Sequence, residues 1–358
     1  MIEPGNTLGI IGAGQLGRML ALAAARYGLQ AHVLAPESGP AFDVAATHTC
    51  APYEDETALT QFAQSCDVVT YEFENVPRRT AEIISARAPL HPSPRALAIT
   101  QDRLEEKTFV AALGICTAPF RAVSSEADLA QALDEIGRPA VLKTRRFGYD
   151  GKGQAMIRAG DAPAVAWAAL GGAPCILEGF IPFEREVSVV AARTAAGAFA
   201  AYDLCANTHC NHILDTTEAP AGVSGEAERE ALDVARRIAD ALDYVGVLAV
   251  EMFVVCEDGT ERIVVNEIAP RVHNSGHWTI EGAVTSQFEQ HVRAVCGWPL
   301  GSAARRGRVR MTNLIGDDAG RWRTVLDDPH AHLHLYGKRT ARPGRKMGHV
   351  TQVWPGEA

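Results

Sequence analysis

Short apolar runs alternate with amphipathic stretches from the first residues onward. Thr7-Leu8-Gly9-Ile10-Ile11 reads as a buried strand, followed by a glycine turn and an apolar helix to about Tyr27. A second strand runs from Gln30 to Leu34 and a third from Asp67 to Tyr71, ending in the polar segment Glu72-Phe73-Glu74-Asn75-Val76-Pro77. Strands that alternate with helices predict a small doubly wound parallel sheet over roughly the first hundred residues, with a ligand crevice at the strand ends.

After the proline-rich joint His91-Pro92-Ser93-Pro94 and a helix carrying Arg103 and Lys107, the pattern changes. From roughly Thr117 to Leu177, short strands surround a helix (Glu126 to Ile136), which predicts a compact lid. Beyond it lie β-rich segments from Glu186 to Arg193 and from Ala198 to Leu204, and a long amphipathic helix from Gly225 to Leu242. A β-hairpin follows, and the last fifty or so residues read as short strands. The expected class is α/β, α+β overall, divided at 1–103, 104–178 and 179–358. No internal repeat is visible.

Composition narrows the function. A chain of 358 residues with a formal charge of -9 and a pI near 5.8 argues against a broad nucleic-acid surface. Its basic residues are dispersed until the run from Arg339 to Lys346. The absence of a transmembrane-length apolar run and of a signal-like N-terminus predicts a cytoplasmic protein without membrane partners. Eight irregularly spaced cysteines fit reduced thiols. The stretch Cys205 to His212 holds zinc-type ligands, but its spacing suits no common zinc site, so His209 is read as a polar contact.

Two glycine motifs and two acids carry the chemistry. Gly12, Gly14 and Gly17 have the spacing of a dinucleotide turn, yet the next strand ends in Ala35-Pro36 and Glu37 comes too late to hold a ribose. Lys143 leaves a strand ahead of Gly148-Tyr149-Asp150-Gly151-Lys152-Gly153-Gln154, a loop whose backbone amides and lysine suit a polyphosphate. Glu251 and Glu267 each interrupt an apolar strand of the hairpin. Paired buried carboxylates repel, so a shared hard cation such as Mg²⁺ explains them best. A two-residue turn at Asp258-Gly259 would set Glu251 opposite Asn266 and turn Glu267 to the other face. A three-residue loop or a bulge is therefore predicted. The site reads as that of an ATP user.

These residues in this order resemble the ATP-grasp superfamily. Tyr71 to Pro77, Asn266 to Thr279 (NEIAPRVHNSGHWT), Tyr336-Gly337-Lys338 and Arg342 to His349 resemble, within it, the N5-carboxyaminoimidazole ribonucleotide synthetases of purine biosynthesis. The resemblance implies three lobes and ATP held by Arg103, Lys143, Gly148 to Gln154, Glu178, Phe180, Ile181, Glu186, His209, Asn266 and Glu267, with Glu178 at the adenine end and Glu186 at the ribose. Glu251 and Glu267 would hold Mg²⁺. It also reassigns the first glycine loop: Gln15, Leu16, Glu74 and Asn75 would meet 5-aminoimidazole ribonucleotide, together with Ser275. Arg271, Lys338, Arg345 and Lys346 would neutralise its 5′-phosphate. The implied reaction consumes ATP and bicarbonate, with Asp150, Lys152 and Lys338 as candidates for proton handling, in a homodimer. The rivals are a formate-dependent glycinamide ribonucleotide transformylase, an NAD-linked oxidoreductase and a nucleotide sensor without turnover.

Overall fold

The computed structural model describes residues 1–148 and 151–356; among them the strands form three sheets. The first is parallel, in the order β3 (Thr47–Cys50), β2 (Gln30–Ala35), β1 (Thr7–Ile11), β4 (Val68–Tyr71), and is flanked by α1 (Gln15–Arg26), α2 (Glu56–Gln64) and α3 (Arg78–Ser85). β1 and β4 are buried on both faces nearly throughout, as parallel strands under helices must be. Two further helices, α4 (Pro94–Thr100) and α5 (Arg103–Ala112), lead away from it.

The second sheet is antiparallel, ordered β5 (Phe120–Val123), β8 (Cys175–Gly179), β6 (Ala140–Thr144), β7 (Gln154–Ile157), with α6 (Glu126–Ile136) and α7 (Pro163–Ala169). It has its own core, in which Val123, Leu129, Leu133, Leu142, Ile157 and Leu177 pack together. It occupies the stretch after Thr117 where the sequence pattern changes, and is called the lid below.

The third sheet is much larger. Its path is β14 (Thr260–Ala269), β13 (Gly246–Glu257), β9 (Arg185–Arg193), β11 (Cys205–Cys210), β12 (Ile213–Ala219), β15 (Gly307–Ile315), β17 (Lys346–Pro355), β16 (Ala331–Leu335), and β10 (Phe199–Ala201) pairs with β9. The final strands are therefore not a set of short additions. β15 and β17 have 9 and 10 residues, pair antiparallel, and extend the same sheet that bears the acidic hairpin. Sequence periodicity could not show this, because the pairing of β12 with β15 joins segments far apart in the chain.

One face of this sheet is covered by α8 (Gly225–Ala241), whose Ser224 cap accepts a hydrogen bond from the Ala227 N–H. Leu248, Val250, Met252 and Val254 pack beneath it. The residues between them face the other way: Val247 and Ala249 share a core with Leu16, Met19 and Leu20 of α1. The first and third sheets are thus joined by common hydrophobic packing that includes α10 (Gln287–Val295), which follows the short α9 (Thr279–Gly282). A last short helix, α11 (Trp322–Leu326), lies outside these cores. The first sheet keeps a second core of its own, around Ile11, Leu34, Phe62 and Tyr71, whereas the lid's residues share no core with either of the other sheets.

Candidate active site

A cavity of about 840 Å³ opens where the three sheets meet. The hairpin of β13 and β14 supplies its acidic wall. The turn is the two-residue one, with Asp258 and Gly259 at φ 49° and 80° and Glu257 opposite Thr260. The register then shifts between Glu251 and Met252: Met252 faces Val265, whereas Glu251 faces Glu267. Asn266 is the extra residue of a β-bulge, so Asn266 and Glu267 both reach the cavity from the strand opposite Glu251. Ile263 and Val265 point into the core under α8. Strict alternation would send Glu267 after them, and the bulge reverses its side. Of the two devices foreseen for bringing the acids together, the bulge is the one used.

The two carboxylates differ in environment. Burial raises the Glu251 carboxyl, but the His273 ring, with Nε2 2.8 Å from Oε1, outweighs it and holds the group at about 2. Glu267 is pushed up by burial and by the Glu251 charge, against a partial offset from Arg103 at 3.7 Å. Its side chain is 43 % exposed, open to the cavity, so water there limits the push. Two acids on one wall, one of them short of positive charge, fit a divalent ion with oxygen ligands. Glu106, on α5 beside them, is driven up to about 8 by burial and by Glu267, and accepts the Ile268 N–H at 3.2 Å. Among the described residues no cluster of three or more His, Cys, Asp or Glu surrounds a single point closely enough to hold a metal alone. The further oxygens would come from a bound phosphate.

The lid supplies the cationic wall. Lys143 reaches the cavity from β6, where its Nζ donates to Glu178 Oε2 at 3.0 Å. Glu178 is 4 % exposed and also pairs with Lys107 at 3.6 Å. Burial would raise it, yet the two lysines bring it down to about 2. Arg103 lies 3.4 Å from the Gly148 carbonyl, linking the glycine loop to the acid wall. Gly148, Gly151, Lys152 and Gln154 line the cavity, while Tyr149 and Asp150 lie outside the described residues. Gly151 has φ 77°, and a Cβ there would meet the ring side of His212 at 2.6–2.9 Å. His212 sits at the β11–β12 tip, so the loop rests on that hairpin.

Glu186 and His209 face the cavity as a charge pair, Oε2 to Nδ1 at 3.0 Å, too poorly aligned for a hydrogen bond. Burial lowers the imidazole pKa, and Glu186 more than restores it, leaving His209 above its usual value. Gln15 and Leu16 line the far end with Glu74 and Asn75. Glu74 is gripped by Arg271 through two hydrogen bonds, one of them Nη2 to Oε1 at 3.2 Å. Gln101 fixes the same turn by donating to the Glu74 and Val76 carbonyls at 2.7 and 2.6 Å. Lys338, Arg345 and Lys346 close this end. Lys338 donates to the Lys346 carbonyl at 2.7 Å, and burial, then Arg345, pushes its ammonium down to about 8.

Five of the expected site residues do not line the cavity: Gly153, Glu178, Phe180, Ile181 and Ser275. Ser275 is fully buried and bonded to Ser188 at 2.7 Å, because it lies inside the short 3₁₀ turn Asn274–Gly276. Glu178 lies behind Lys143, and Phe180, 42 % exposed, lies in the connection that follows β8. Sequence reading also passed over His273, Glu106, Gln101 and Arg342, all of which reach the cavity. For His273 a signal existed: it lies two residues beyond Arg271 in the polar run.

The dinucleotide reading fails on one observation. The amides of Gly14 and Gly17, which would receive a phosphate, already donate to the two carboxylate oxygens of Glu72, the latter at 2.6 Å. The chain fills that anion seat itself.

Three family profiles match: the ribonucleotide synthetase preATP-grasp domain at 5–101, the ATP-grasp domain at 108–288, and the phosphoribosylaminoimidazole carboxylase C-terminal domain at 310–355. An N5-carboxyaminoimidazole ribonucleotide synthase of Brucella melitensis is 50 % identical over 357 residues, covering 99 % of this chain and 98 % of that protein. The ADP complex of an N5-carboxyaminoimidazole ribonucleotide synthetase superposes with a TM-score of 0.94 at 42 % identity, covering 99 % and 94 % of the two chains. A synthase of Aspergillus clavatus, solved with ADP and 5-aminoimidazole ribonucleotide, gives 0.90 at 33 % identity, covering 98 % and 94 %. Fold and cavity thus define an ATP-grasp ligase. Within that class, the chain belongs to the N5-carboxyaminoimidazole ribonucleotide synthase family. Neither the transformylase nor the oxidoreductase reading survives this assignment.

Proposed function

We propose that this protein carboxylates 5-aminoimidazole ribonucleotide with bicarbonate at the expense of ATP, giving N5-carboxyaminoimidazole ribonucleotide, ADP and phosphate. The observation that carries the reading is the single cavity that joins the Glu251–Glu267 wall and the lid loop to the basic tail.

Bicarbonate is a weak electrophile. Its oxygen attacks the γ-phosphorus, ADP leaves, and the resulting carboxyphosphate is a mixed anhydride. The exocyclic amine then attacks the carbonyl carbon, phosphate departs and the nitrogen loses a proton. Phosphoryl transfer needs alignment and charge neutralisation rather than a protein nucleophile. Glu251 and Glu267 would hold Mg²⁺, which neutralises phosphate charge when bound. Lys143, held in direction by Glu178, and the amides of Gly148 and Gly151 position the phosphates. Arg103, Gln154, Glu186, His209 and Asn266 complete the nucleotide side. Gln15, Leu16, Glu74 and Asn75 take the aminoimidazole ribonucleoside, and Arg271, Lys338, Arg345 and Lys346 face its phosphate. Lys338, at about 8, can release or accept a proton near neutral pH, and Asp150 and Lys152 on the loop are the other candidates.

The lid's separate core supports its acting as a hinged cover that keeps water from carboxyphosphate. The three sheets support the division at 103/104 and 178/179, although α5 packs through Val110 on the core beneath α8 rather than on the lid. No described helix is long and apolar enough to cross a membrane. The same reading carries a cytoplasmic homodimer, checked by light scattering on the eluting protein. The functional test is coupled ADP release. It should require both ribonucleotide and bicarbonate, and formate should not replace bicarbonate. ADP release indifferent to the ribonucleotide would sink the reading.

A further inference from the structure

Glu72 is an acid of the cavity that none of the steps above uses. It follows β4 at the carboxyl edge of the parallel sheet, is 7 % exposed and lines the cavity. One carboxylate oxygen accepts the Gly14 N–H, and the other accepts the Gly17 N–H at 2.6 Å. A Cβ on Gly14 would fall 2.7 Å from the first oxygen and one on Gly17 3.3 Å from the second, so the glycines make room for this carboxylate. Unpaired amides and the positive end of a helix dipole, arranged this way, form a seat for a phosphate.

The cavity therefore has two places that suit a phosphate. One is the N-terminus of α1, next to Gln15 and Leu16; the other is the cationic tail of Lys338, Arg345 and Lys346. A ribonucleotide monophosphate offered both could bind in either direction, and only one direction presents its amine to the reacting carbon. Binding the wrong way round lowers turnover without weakening apparent affinity.

We infer that Glu72 is a positioning residue that sets substrate orientation: its carboxylate occupies the phosphate seat on α1 and so directs the 5′-phosphate to the basic tail. The inference rests on the substrate reading above. Burial raises the Glu72 carboxyl, while the two amides favour its charged form.

The test is steady-state kinetics of Glu72→Ala with the ribonucleotide varied at saturating ATP and bicarbonate. The expected result is a kcat lowered about tenfold with no rise in KM for the ribonucleotide, the signature of non-productive binding. Sodium acetate at about 0.1 M, against sodium chloride at the same ionic strength, should restore kcat by refilling the seat with a carboxylate. Should the alanine variant not fold, Glu72→Ser, which keeps a hydroxyl near the amides without the charge, gives the same reading. A wild-type kcat overturns the inference. So does a raised KM with no response to acetate, which would mark Glu72 as a loop support only. The wild-type arm separates the two claims: if it shows no ribonucleotide-dependent ADP release, the functional reading falls and takes this inference with it.

Discussion

At the scale of single residues, the acid wall depends on unequal partners. Glu251 has His273 at 2.8 Å, whereas Glu267 has Arg103 at 3.7 Å, with weaker help from Lys143 and His273, and Glu251 as a repelling neighbour. Glu267→Gln relieves that repulsion, so stability should hold or rise slightly. A cation held by this wall would lose a charged ligand, and kcat/KM should fall about a hundredfold with a higher Mg²⁺ concentration at half-maximal rate. Retained activity at unchanged Mg²⁺ demand would remove Glu267 from the metal site. Gly151 makes a different prediction. At φ 77°, with His212 2.6 Å from any added Cβ, Gly151→Ala must move the loop. KM for ATP should rise about tenfold while the melting temperature barely changes, because the lid core does not include this loop. Asp150→Ala should collapse turnover with the fold intact; unchanged turnover would remove Asp150 from the mechanism.

At the scale of elements, the hairpin of β13 and β14 shows what a sequence can and cannot convey. Two acids ending apolar runs, with Asp258-Gly259 between them, gave the hairpin and the need for a bulge by alternation alone. The glycines of the first turn gave strand, turn and helix, but not their occupant, because Glu72 lies 55 residues beyond Gly17 and only tertiary folding brings them together. Ser275 failed for a related reason: a serine in a polar run reads as available, and its burial against Ser188 follows from how β9 passes beneath the turn. The sidedness of β13 makes a further prediction. Leu248, Val250 and Met252 pack under α8, while Glu251 faces the opposite side. Ser224→Ala, which deletes the α8 cap, should therefore cost about 1 kcal/mol in urea unfolding yet leave ADP release within about twofold. A large loss of activity would mean that the two faces are coupled.

At the scale of the whole molecule, a buried histidine ties two lobes together. His291 on α10 is fully buried; Nδ1 accepts the Val247 N–H of β13 at 3.0 Å, and Nε2 donates to Thr70 of β4 at 2.7 Å. One ring thus joins the first sheet to the third, and it does so only when neutral, since a protonated Nδ1 cannot accept. Burial lowers its pKa to about 3, with His91 adding to the effect. His277 and His349, also fully buried, lie well below their usual value, through burial first and then through neighbouring charge. For all three the folded pKa is depressed, so the unfolded chain binds more protons once the pH drops below the ordinary histidine value of 6.5. Their own contribution should be nearly level above that pH and fall below it, each histidine adding a slope that approaches about 1.4 kcal/mol per pH unit. Glu106, at about 8, opposes this from about pH 8 downward, because its folded form takes up a proton before the unfolded one does, and the raised Glu72, Glu267 and His209 act in the same sense. His32 and His91, also lowered by burial, join the three on the other side, so below the ordinary histidine value the five lowered histidines outnumber the four groups that oppose them. Urea midpoints at pH 7.5, 6.5 and 5.5 should therefore decline only across the lower interval, and His291→Gln, whose amide offers a donor and an acceptor without a titration, should flatten part of that decline. A midpoint independent of pH down to 5.5 would show that the fold does not depend on these histidines being neutral.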